Sequence, residues 1–459
     1  MLYKGLLKKT DKLFEPVDVA SLVFFRVSFG LIMLWQVFRY WPYIEQLFIS
    51  PVFRFKFYGF GWLEVLPGDG MYYLFVMLGI LAVFITLGLF YRVASILFFF
   101  GFTYVFLLNK TYFLNHIYLS CLISFLLIFI PCHRSLSLDA LINPKIRSQV
   151  IPVWCVWLLR VQIGIPYFYA GIAKLNLDWF HGEPMRLWLA ERASYPVLGQ
   201  FFTEEWVVYL FSYGGLCIDL LIVPLLLFRK TRVFGYMLAF MFHLTNAYVF
   251  SGVGIFPYLM IAATLIFFSP SWPRQFLATV QRRTFHLEEE VASMPEFSPS
   301  YRFSTTLFVT VYLAFQLLIP FRHHLYPGNA SWTEEGQRFS WRMMIRDKDS
   351  RVTFYVTDPN SHRTREFPPK TILKFLNLGQ YGRMAIRPDM ILEFSHHLAE
   401  RFKEEGYPDV EVRARMLNSL NGRPFQLLID PDVDLAKVKA RLWPPATWIL
   451  PLKEENQKR

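Results

Sequence analysis

Nine runs of apolar residues occupy most of the first 321 residues and determine the expected architecture. They lie at about 18–41, 71–90, 93–112, 116–131, 152–175, 206–228, 233–250, 255–270 and 304–321. A helix needs about 20 apolar residues to cross the hydrocarbon core of a bilayer, and several runs reach that length. We therefore predict a polytopic α-helical membrane protein with about nine membrane segments, the shorter ones tilted or partly re-entrant.

The pattern changes after residue 321. Short runs at 339–345, 351–357, 410–420 and 423–429 predict strands, and Asn421-Gly422 predicts a hairpin turn. Residues 389–405 are typical of a helix that ends at Gly406. We expect a transmembrane helical domain over residues 1–321 and an extramembrane α+β or mainly-β domain over residues 322–459.

Composition and charge agree with a membrane protein. Of the 459 residues, 54% are hydrophobic and only 18% are charged. The formal net charge of +12 comes mostly from short loops and does not indicate nucleic-acid binding. The basic cluster at residues 4–12 and the basic groups after every second run occupy alternate loops. This arrangement predicts a cytoplasmic N-terminus and an extracytoplasmic C-terminal domain.

One face of the fifth run carries the most informative polar residues. Arg160, Gly164, Tyr167, Gly171 and Lys174 follow one another at alternating steps of four and three. On a helix they share one side, which lipid cannot satisfy, so we expect it to face the protein interior. A lysine at the end of a span is also typical of an anchor in the headgroup layer, and this alternative stays open.

Three other runs carry polar stripes at helical spacing. The stripes are His116, Ser120 and Ser124, then Ser212, Gly215 and Asp219, then Gly235, Ala239, His243 and Asn246. Together with the Lys174 face they predict a shared interior cavity. Hydrogen bonds between helices are an alternative role for His243 and Asn246, and a hydrogen bond to a loop carbonyl is an alternative role for His116 at the start of its helix. The depths of Arg26, Arg160 and Asp219 predict an ion pair between Asp219 and one of the two arginines.

The predicted cavity has a definite chemistry. An amine kept away from water can stay neutral and act as a base. Beside an imidazole, an amide and aromatic rings, such a base suits a planar, lipid-soluble redox molecule. The sequence has no metal-ligand spacing and no dinucleotide, phosphate-loop or haem motif, so we expect any redox cofactor to be diffusible.

At these residues the sequence resembles the vitamin K-dependent γ-glutamyl carboxylase family, within the wider group of horizontally transferred transmembrane (HTTM) domains. The matching stretches run in order through residues 110–119, 159–163, 167–179, 243–246, 268–274, 329–332, 340–344, 423–426 and 430–434. So many ordered matches are more specific than any single motif in the chain.

The resemblance implies an enzyme, a carbon–carbon lyase that uses no metal. It implies oxygenation of a vitamin K or menaquinone hydroquinone by O2 to the epoxide, coupled to γ-carboxylation of glutamate residues with CO2. The residues that it implies as catalytic are Lys174 as the base, with His116 and Asn115 at the reacting oxygen. Those that it implies around the quinol are Tyr167, Phe113, His243 and Asn246.

The chain departs from the animal members of that family. The segment from 275 to 301 is short, and Phe113 stands where the animal enzymes carry Trp. We expect a compact, bacterial-like homologue in an inner membrane, with membrane lipid, a lipophilic quinol and a glutamate-containing protein or peptide as partners. Two alternatives are a quinol epoxidase that does not carboxylate and a non-enzymatic quinone- or lipid-binding module that recruits a partner protein.

Overall fold

The computed structural model of the chain describes residues 11–250, 252–281 and 297–453. Nine helices follow the nine apolar runs in order. They are α1 Ala20–Tyr40, α2 Gly70–Leu87, α3 Tyr91–Leu107, α4 Asn115–Phe129, α5 Trp154–Lys174, α6 Glu205–Leu227, α7 Arg232–Val249, α8 Phe256–Thr264 and α9 Pro299–Leu318. Short 3₁₀ segments extend α8 through Phe267 and α9 through Leu325.

Length and composition separate these helices. Within the described ranges, five of them, α1, α2, α5, α6 and α9, are long and apolar enough to cross a membrane. Helices α3 and α4, and α8 with its extension, are shorter apolar helices. The chain therefore has the helices of an integral membrane protein, but the predicted nine spans are not confirmed. The predicted orientation is not settled either, and Lys4, Lys8 and Lys9, on which it partly depends, lie outside the described residues.

Helix α5 is the central helix of the bundle. The protein buries 72% of its most apolar window, compared with 22% for α9 and 28% for α6. Its neighbours include α4, α6, α8 and α9. A helix surrounded by other helices can present polar groups to the interior, whereas a lipid-facing helix cannot.

Among the described residues, six strands form two sheets. Strands β1 (Pro16–Asp18) and β2 (Val150–Pro152) pair next to the membrane helices. In the C-terminal region, residues 326–453, strands β3 (Lys348–Thr357), β4 (Thr364–Phe367), β5 (Glu411–Leu420) and β6 (Gln426–Leu427) form an antiparallel sheet in the order β4-β3-β5-β6. Helix α10 (Pro388–Glu404) packs on this sheet and supplies Phe394 and Leu398 to a separate buried core.

The described residues also include short α-helices. They are Leu138–Ile142, Leu177–Phe180, Met185–Ala190, Trp272–Val280, Ala330–Thr333, Pro369–Ile372 and Leu378–Met384.

Most of the predicted C-terminal elements are confirmed. The strand at 351–357 lies in β3, the helix at 389–405 is α10, and Asn421 and Gly422 take the left-handed conformation of a turn, with φ of 52° and 76°. The predicted strand at 339–345 is wrong. Phe339 and Trp341 have φ of 65° and 54°, which a strand cannot accommodate. The alternation of apolar residues that suggested a strand has another cause. Phe339 and Trp341 pack on aromatic rings of the membrane region, Phe113 among them.

Two charge clusters hold the C-terminal region against the membrane helices. Lys110, just before α4, contacts Asp389 and Glu393 of α10 with N–O distances of 2.9 Å and 2.6 Å. Asp178, just after α5, accepts hydrogen bonds from Arg423 at 2.9 Å and from Asn421 at 2.7 Å. The sheet is thus fixed over the same ends of the helices that carry Lys174 and His116.

We expect the buried Glu334 to be essential for the stability of the C-terminal region. Its carboxylate lies 2.5 Å from Arg346 Nε, 3.1 Å from Lys348 Nζ and 3.7 Å from Arg387 Nε. The substitution Glu334→Gln leaves these cations without their acid. It should lower the free energy of unfolding by about 3–5 kcal/mol, the usual cost of breaking a buried pair. Urea unfolding, monitored by hydrogen exchange in β3, measures this loss, and Glu335→Gln is the control.

The same carboxylate predicts a pH dependence. Burial alone would raise the pKa of Glu334, but Arg346 and Lys348 outweigh it and lower the pKa from 4.5 to about 2. A lowered pKa in the folded state gives stability that is complete above the unfolded value and is lost as the pH falls towards 2. Wild type and Glu334→Gln should therefore converge in stability across that window, and a difference that does not change with pH would contradict the assignment.

Candidate active site

A cavity of about 740 Å³ lies where α5, α6 and α7 meet the C-terminal region. Its walls include every residue that the sequence singled out as a site residue. These are Lys174, His116, Asn115, Tyr167, Phe113, His243 and Asn246. The structure therefore brings the seven residues together, from three segments of the chain, around one space.

Lys174 does not reach the headgroup layer as an anchor would. Its side chain is 7% exposed and its Nζ lies 2.6 Å from Asp219 Oδ2, whose side chain is 6% exposed. A weak contact to the Ala170 carbonyl, at 3.5 Å, is its other hydrogen bond. Lys174 and Asp219 therefore form a buried amine–carboxyl pair between α5 and α6, on the wall of the cavity.

The predicted pairing of Asp219 with Arg26 or Arg160 is wrong. Arg26 donates to the carbonyls of Cys132 and Leu136, at 3.1 Å and 2.6 Å. Arg160 donates to two carbonyls at the end of α8, at 2.9 Å and 2.8 Å. Both arginines thus donate to backbone carbonyls and not to Asp219, and Arg26 Nε has no hydrogen-bond partner among the described residues.

The heights of the helices explain this error. Asp219 lies about four turns inside α6, whereas Lys174 is the last residue of α5. Their contact means that α6 continues far beyond the end of α5. Depths counted from the edges of apolar runs assume that neighbouring helices end at one plane, which these two do not.

Gly171 allows this close approach of α5 and α6. A Cβ atom at this position would lie 2.5 Å from Leu220 Cδ2 and 3.2 Å from the Leu220 backbone nitrogen. Both distances are shorter than a normal van der Waals contact, so a larger residue would push α6 away. The small residue one turn before Lys174 is therefore what brings Asp219 within reach.

A segment after α5 covers the amine. Asn176 caps the short helix 177–180 by accepting a hydrogen bond from the Trp179 backbone nitrogen, at 3.0 Å. The Trp179 indole donates to the Ser212 carbonyl of α6 at 2.8 Å, and Lys174 Nζ lies 5.1 Å from the centre of a Trp179 ring. Trp179, Met185 and Trp188 of this segment all line the cavity.

Tyr167 and His243 join α5 to α7 on another wall. The Tyr167 hydroxyl lies 2.6 Å from His243 Nε2, and both residues are buried. This contact is the interhelical hydrogen bond considered above as the structural role of His243. It also fixes a phenol and an imidazole side by side on the cavity surface, where both can contact a bound ring.

His116 and Asn115 begin α4 on a further wall. Gly254 has φ of +62°, and a Cβ on it would lie 3.2 Å from His116 Nε2, so the glycine lets its backbone pass close to the imidazole. Asn115 Oδ1 is buried without a hydrogen-bond partner among the described residues. This oxygen is therefore able to accept a hydrogen bond from a molecule bound in the cavity.

The cavity also reaches the outer surface of the helix bundle. Leu210 of α6 and Met241 of α7 line it, yet they are 58% and 56% exposed. Gly214, one turn after Leu210 on α6, also lines the cavity, and a Cβ there would meet no atom within 4 Å. On a membrane protein this surface faces lipid, so an apolar molecule has a side entrance between α6 and α7.

Sequence reasoning missed two parts of the site. It treated Asp219 as a structural charge, although an acid on the small-residue face of a membrane helix is best paired with the nearest amine. It also missed the arginines that the C-terminal region contributes to the cavity, namely Arg338, Arg342, Arg346, Arg383 and Arg387. In the sequence these arginines are ordinary basic residues in two separate segments, so nothing there indicates that they share one site.

The arrangement favours proton transfer from a bound apolar ligand to the protein. The described residues contain no group of three or more His, Cys, Asp or Glu side chains that could hold a metal ion. They do place an amine–carboxyl pair, an imidazole, a phenol and an amide around an apolar space with a lipid-side opening. Such a site can bind a lipophilic ring and remove a proton from one of its hydroxyl groups.

Two protein-family models match the chain. The HTTM domain matches residues 14–272, which is more than half of the chain, and the lumenal domain of vitamin K-dependent gamma-carboxylase matches residues 301–455. No solved structure matches the chain. The first match contains Lys174, His116 and His243, and the second contains the sheet and the cavity-lining arginines.

A double-mutant cycle tests the buried pair. Lys174→Met and Asp219→Leu each leave one charged group buried without its partner, and each should destabilise the protein by about 3–5 kcal/mol. The double variant replaces both with apolar groups and should recover most of that loss. Thermal unfolding in detergent measures the four proteins. Additive losses, with the double variant the least stable, would show that the two groups do not interact.

Proposed function

Because the chain belongs to the vitamin K-dependent gamma-carboxylase family, we propose that it is a membrane enzyme that couples two reactions. One is oxygenation of a vitamin K or menaquinone hydroquinone by O2 to the epoxide, and the other is γ-carboxylation of glutamate residues with CO2. The observation that carries this proposal is the Lys174–Asp219 pair, which lies in a cavity open to lipid on one side and closed by the C-terminal region on the other.

The cavity fits a quinol. Its volume of about 740 Å³ is within the usual range for small-molecule sites, and Phe113, Phe242 and Phe256 contribute aromatic walls. The unpartnered Asn115 Oδ1 can accept a hydrogen bond from a quinol hydroxyl. When bound, the quinol supplies the electrons that reduce dioxygen and, through its oxygenation, a base strong enough to deprotonate a carbon acid.

Lys174 acts as the general base in this proposal. A neutral amine takes the hydroxyl proton, so that an O–H bond breaks and an N–H bond forms. Asp219 stabilises the resulting ammonium, because opposite charges 2.6 Å apart attract strongly where water is excluded. The cover formed by Trp179 keeps water away from the amine during the transfer.

The other residues position the ring. His116 and Asn115 orient and stabilise the oxygen that reacts, from the start of α4. Tyr167 and His243 hold each other in place and contact the ring from the opposite helices, and Phe113 and Asn246 complete its surroundings. Hydrogen-bond donors fixed before the reaction act without reorganisation when charge develops on the oxygen.

The placement of these groups suggests a separate role for each of the two regions of the chain. We propose that residues 1–321 form the catalytic membrane domain and that residues 322–459 form an extracytoplasmic domain that presents the glutamate. The N-terminus is then cytoplasmic, in a bacterial inner membrane, and the quinol enters from the lipid. The epoxidase without carboxylation and the non-enzymatic quinone-binding module are the competing functions, and one assay separates all three.

The assay combines vitamin K hydroquinone, O2, labelled CO2 and a glutamate-containing peptide with the purified protein in nanodiscs. We expect quinone epoxide and labelled peptide from wild type, detected by mass spectrometry. The Lys174→Met/Asp219→Leu double variant, which should keep the fold, should lose about 10²–10⁴-fold in epoxide formation, as expected from removing a general base. Epoxide without labelled peptide indicates the epoxidase, and quinone binding without either product indicates the module. Full activity in the double variant would end the proposed role of Lys174.

A second assay tests the side entrance. Gly214→Trp should block the opening between α6 and α7, because a side chain there has free space to fill. It should reduce turnover of a quinol with a long isoprenoid tail and leave a tail-free quinol nearly unaffected. Leu221→Trp, at a lipid-exposed position of α6 outside the cavity lining, is the matched control. Equal loss with both quinols would show that the tail enters elsewhere.

A further inference from the structure

The end of the cavity next to the sheet is strongly basic. Five guanidinium groups of the C-terminal region line it, those of Arg338, Arg342, Arg346, Arg383 and Arg387. They come from the C-terminal region, whereas Lys174 and His116 come from the membrane helices, and we call the five arginines the arginine cluster. Nothing in the proposed handling of the quinol uses these groups.

Few carboxylates neutralise the arginine cluster. Glu334 forms ion pairs with both Arg346 and Lys348, at 2.5 Å and 3.1 Å. Asp389 serves Arg338 at 2.8 Å and also Lys110 at 2.9 Å. Arg342 donates its hydrogen bonds to neutral groups, to Gln337 Oε1 at 2.9 Å and to Ser331 Oγ at 3.0 Å. The described residues of this end therefore carry an excess of positive charge.

Arg387 shows the excess most clearly. The residue is 5% exposed, and its Nε and Nη1 atoms have no hydrogen-bond partner in the part of the chain that the structure describes. Its Nε is 3.7 Å from Glu334, too far for a hydrogen bond. Burial, followed by the nearby Arg338, lowers the pKa of Arg387 well below its ordinary value. A buried guanidinium with unused donors on a cavity wall calls for an anion from outside the chain.

We propose that the arginine cluster binds the side-chain carboxylate of the glutamate substrate, with Arg387 as its principal contact. This inference rests on the proposed function and adds to it the residues that hold the second substrate. Guanidinium groups present paired N–H donors that match the two oxygens of a carboxylate. An acceptor glutamate brings a carboxylate to the cavity and leaves with two, so a site with unneutralised positive charge suits both substrate and product.

The chemistry explains why several arginines are useful. The γ C–H bond of the glutamate breaks and its proton passes to the base that the quinol oxygenation supplies. The electron pair left on carbon forms a C–C bond to CO2, which becomes the second carboxylate. Negative charge therefore builds up beside the bound carboxylate, and fixed guanidinium groups stabilise it without reorganisation.

Binding in the absence of quinol tests this inference. The full chain in nanodiscs is titrated with a short glutamate peptide, the same peptide with glutamine, and inorganic phosphate. We expect the glutamate peptide to bind more tightly than the glutamine peptide. Arg387→Met should weaken glutamate-peptide binding about tenfold or more, as expected for the loss of a charged hydrogen bond. Arg387→Lys should weaken it less.

Controls separate this inference from the proposed function. Arg363→Met, at an exposed turn far along the chain from the cavity lining, should leave peptide binding unchanged. Vitamin K quinone binding, measured on the same proteins, should be unaltered in Arg387→Met. Three results would overturn the inference: equal affinity for the two peptides, displacement by phosphate as strong as by glutamate, or unchanged binding in both Arg387 variants. None of these results would contradict the proposed quinol reaction. If the wild-type protein does not bind vitamin K quinone, the proposed function is wrong.

Discussion

The contact between Lys174 and Asp219 is the interaction on which the site depends. It places two ionisable groups 2.6 Å apart in a bundle of apolar helices, where either alone would be costly. Gly171 makes it sterically possible, and the cover formed by Trp179 keeps it away from water. The buried pair therefore links the packing of α5 against α6 directly to the chemistry of the cavity.

The cavity has two ends with different character. One end lies among membrane helices, where an amine–carboxyl pair, an imidazole and aromatic rings surround an apolar space. The other end belongs to the C-terminal region, where guanidinium groups outnumber the carboxylates that neutralise them. The charge clusters at Lys110 and Asp178 hold the two parts together, so that a lipid-soluble reactant and an anionic one can meet in one cavity.

The sequence predicted much of this structure because helix and strand periodicities are local. The nine helices, β3, α10 and the Asn421-Gly422 turn all follow from such patterns, as does the gathering of Lys174 and His116. Hydropathy locates helices but not their relative heights, which is why Asp219 was assigned the wrong partner. The aromatic alternation at Phe339–Trp341 reflects contacts with another part of the chain, and the arginine cluster is assembled only by the tertiary fold.

The most direct test of the central claim is an experimental structure, by electron cryo-microscopy in nanodiscs, with a bound menaquinone analogue. The account predicts a quinone oxygen within about 3 Å of Lys174 Nζ, the distance of a hydrogen bond, with Asp219 still beside the amine. It also predicts the isoprenoid tail between α6 and α7. A ring bound outside the cavity, or Lys174 turned to the headgroup layer away from Asp219, would contradict it.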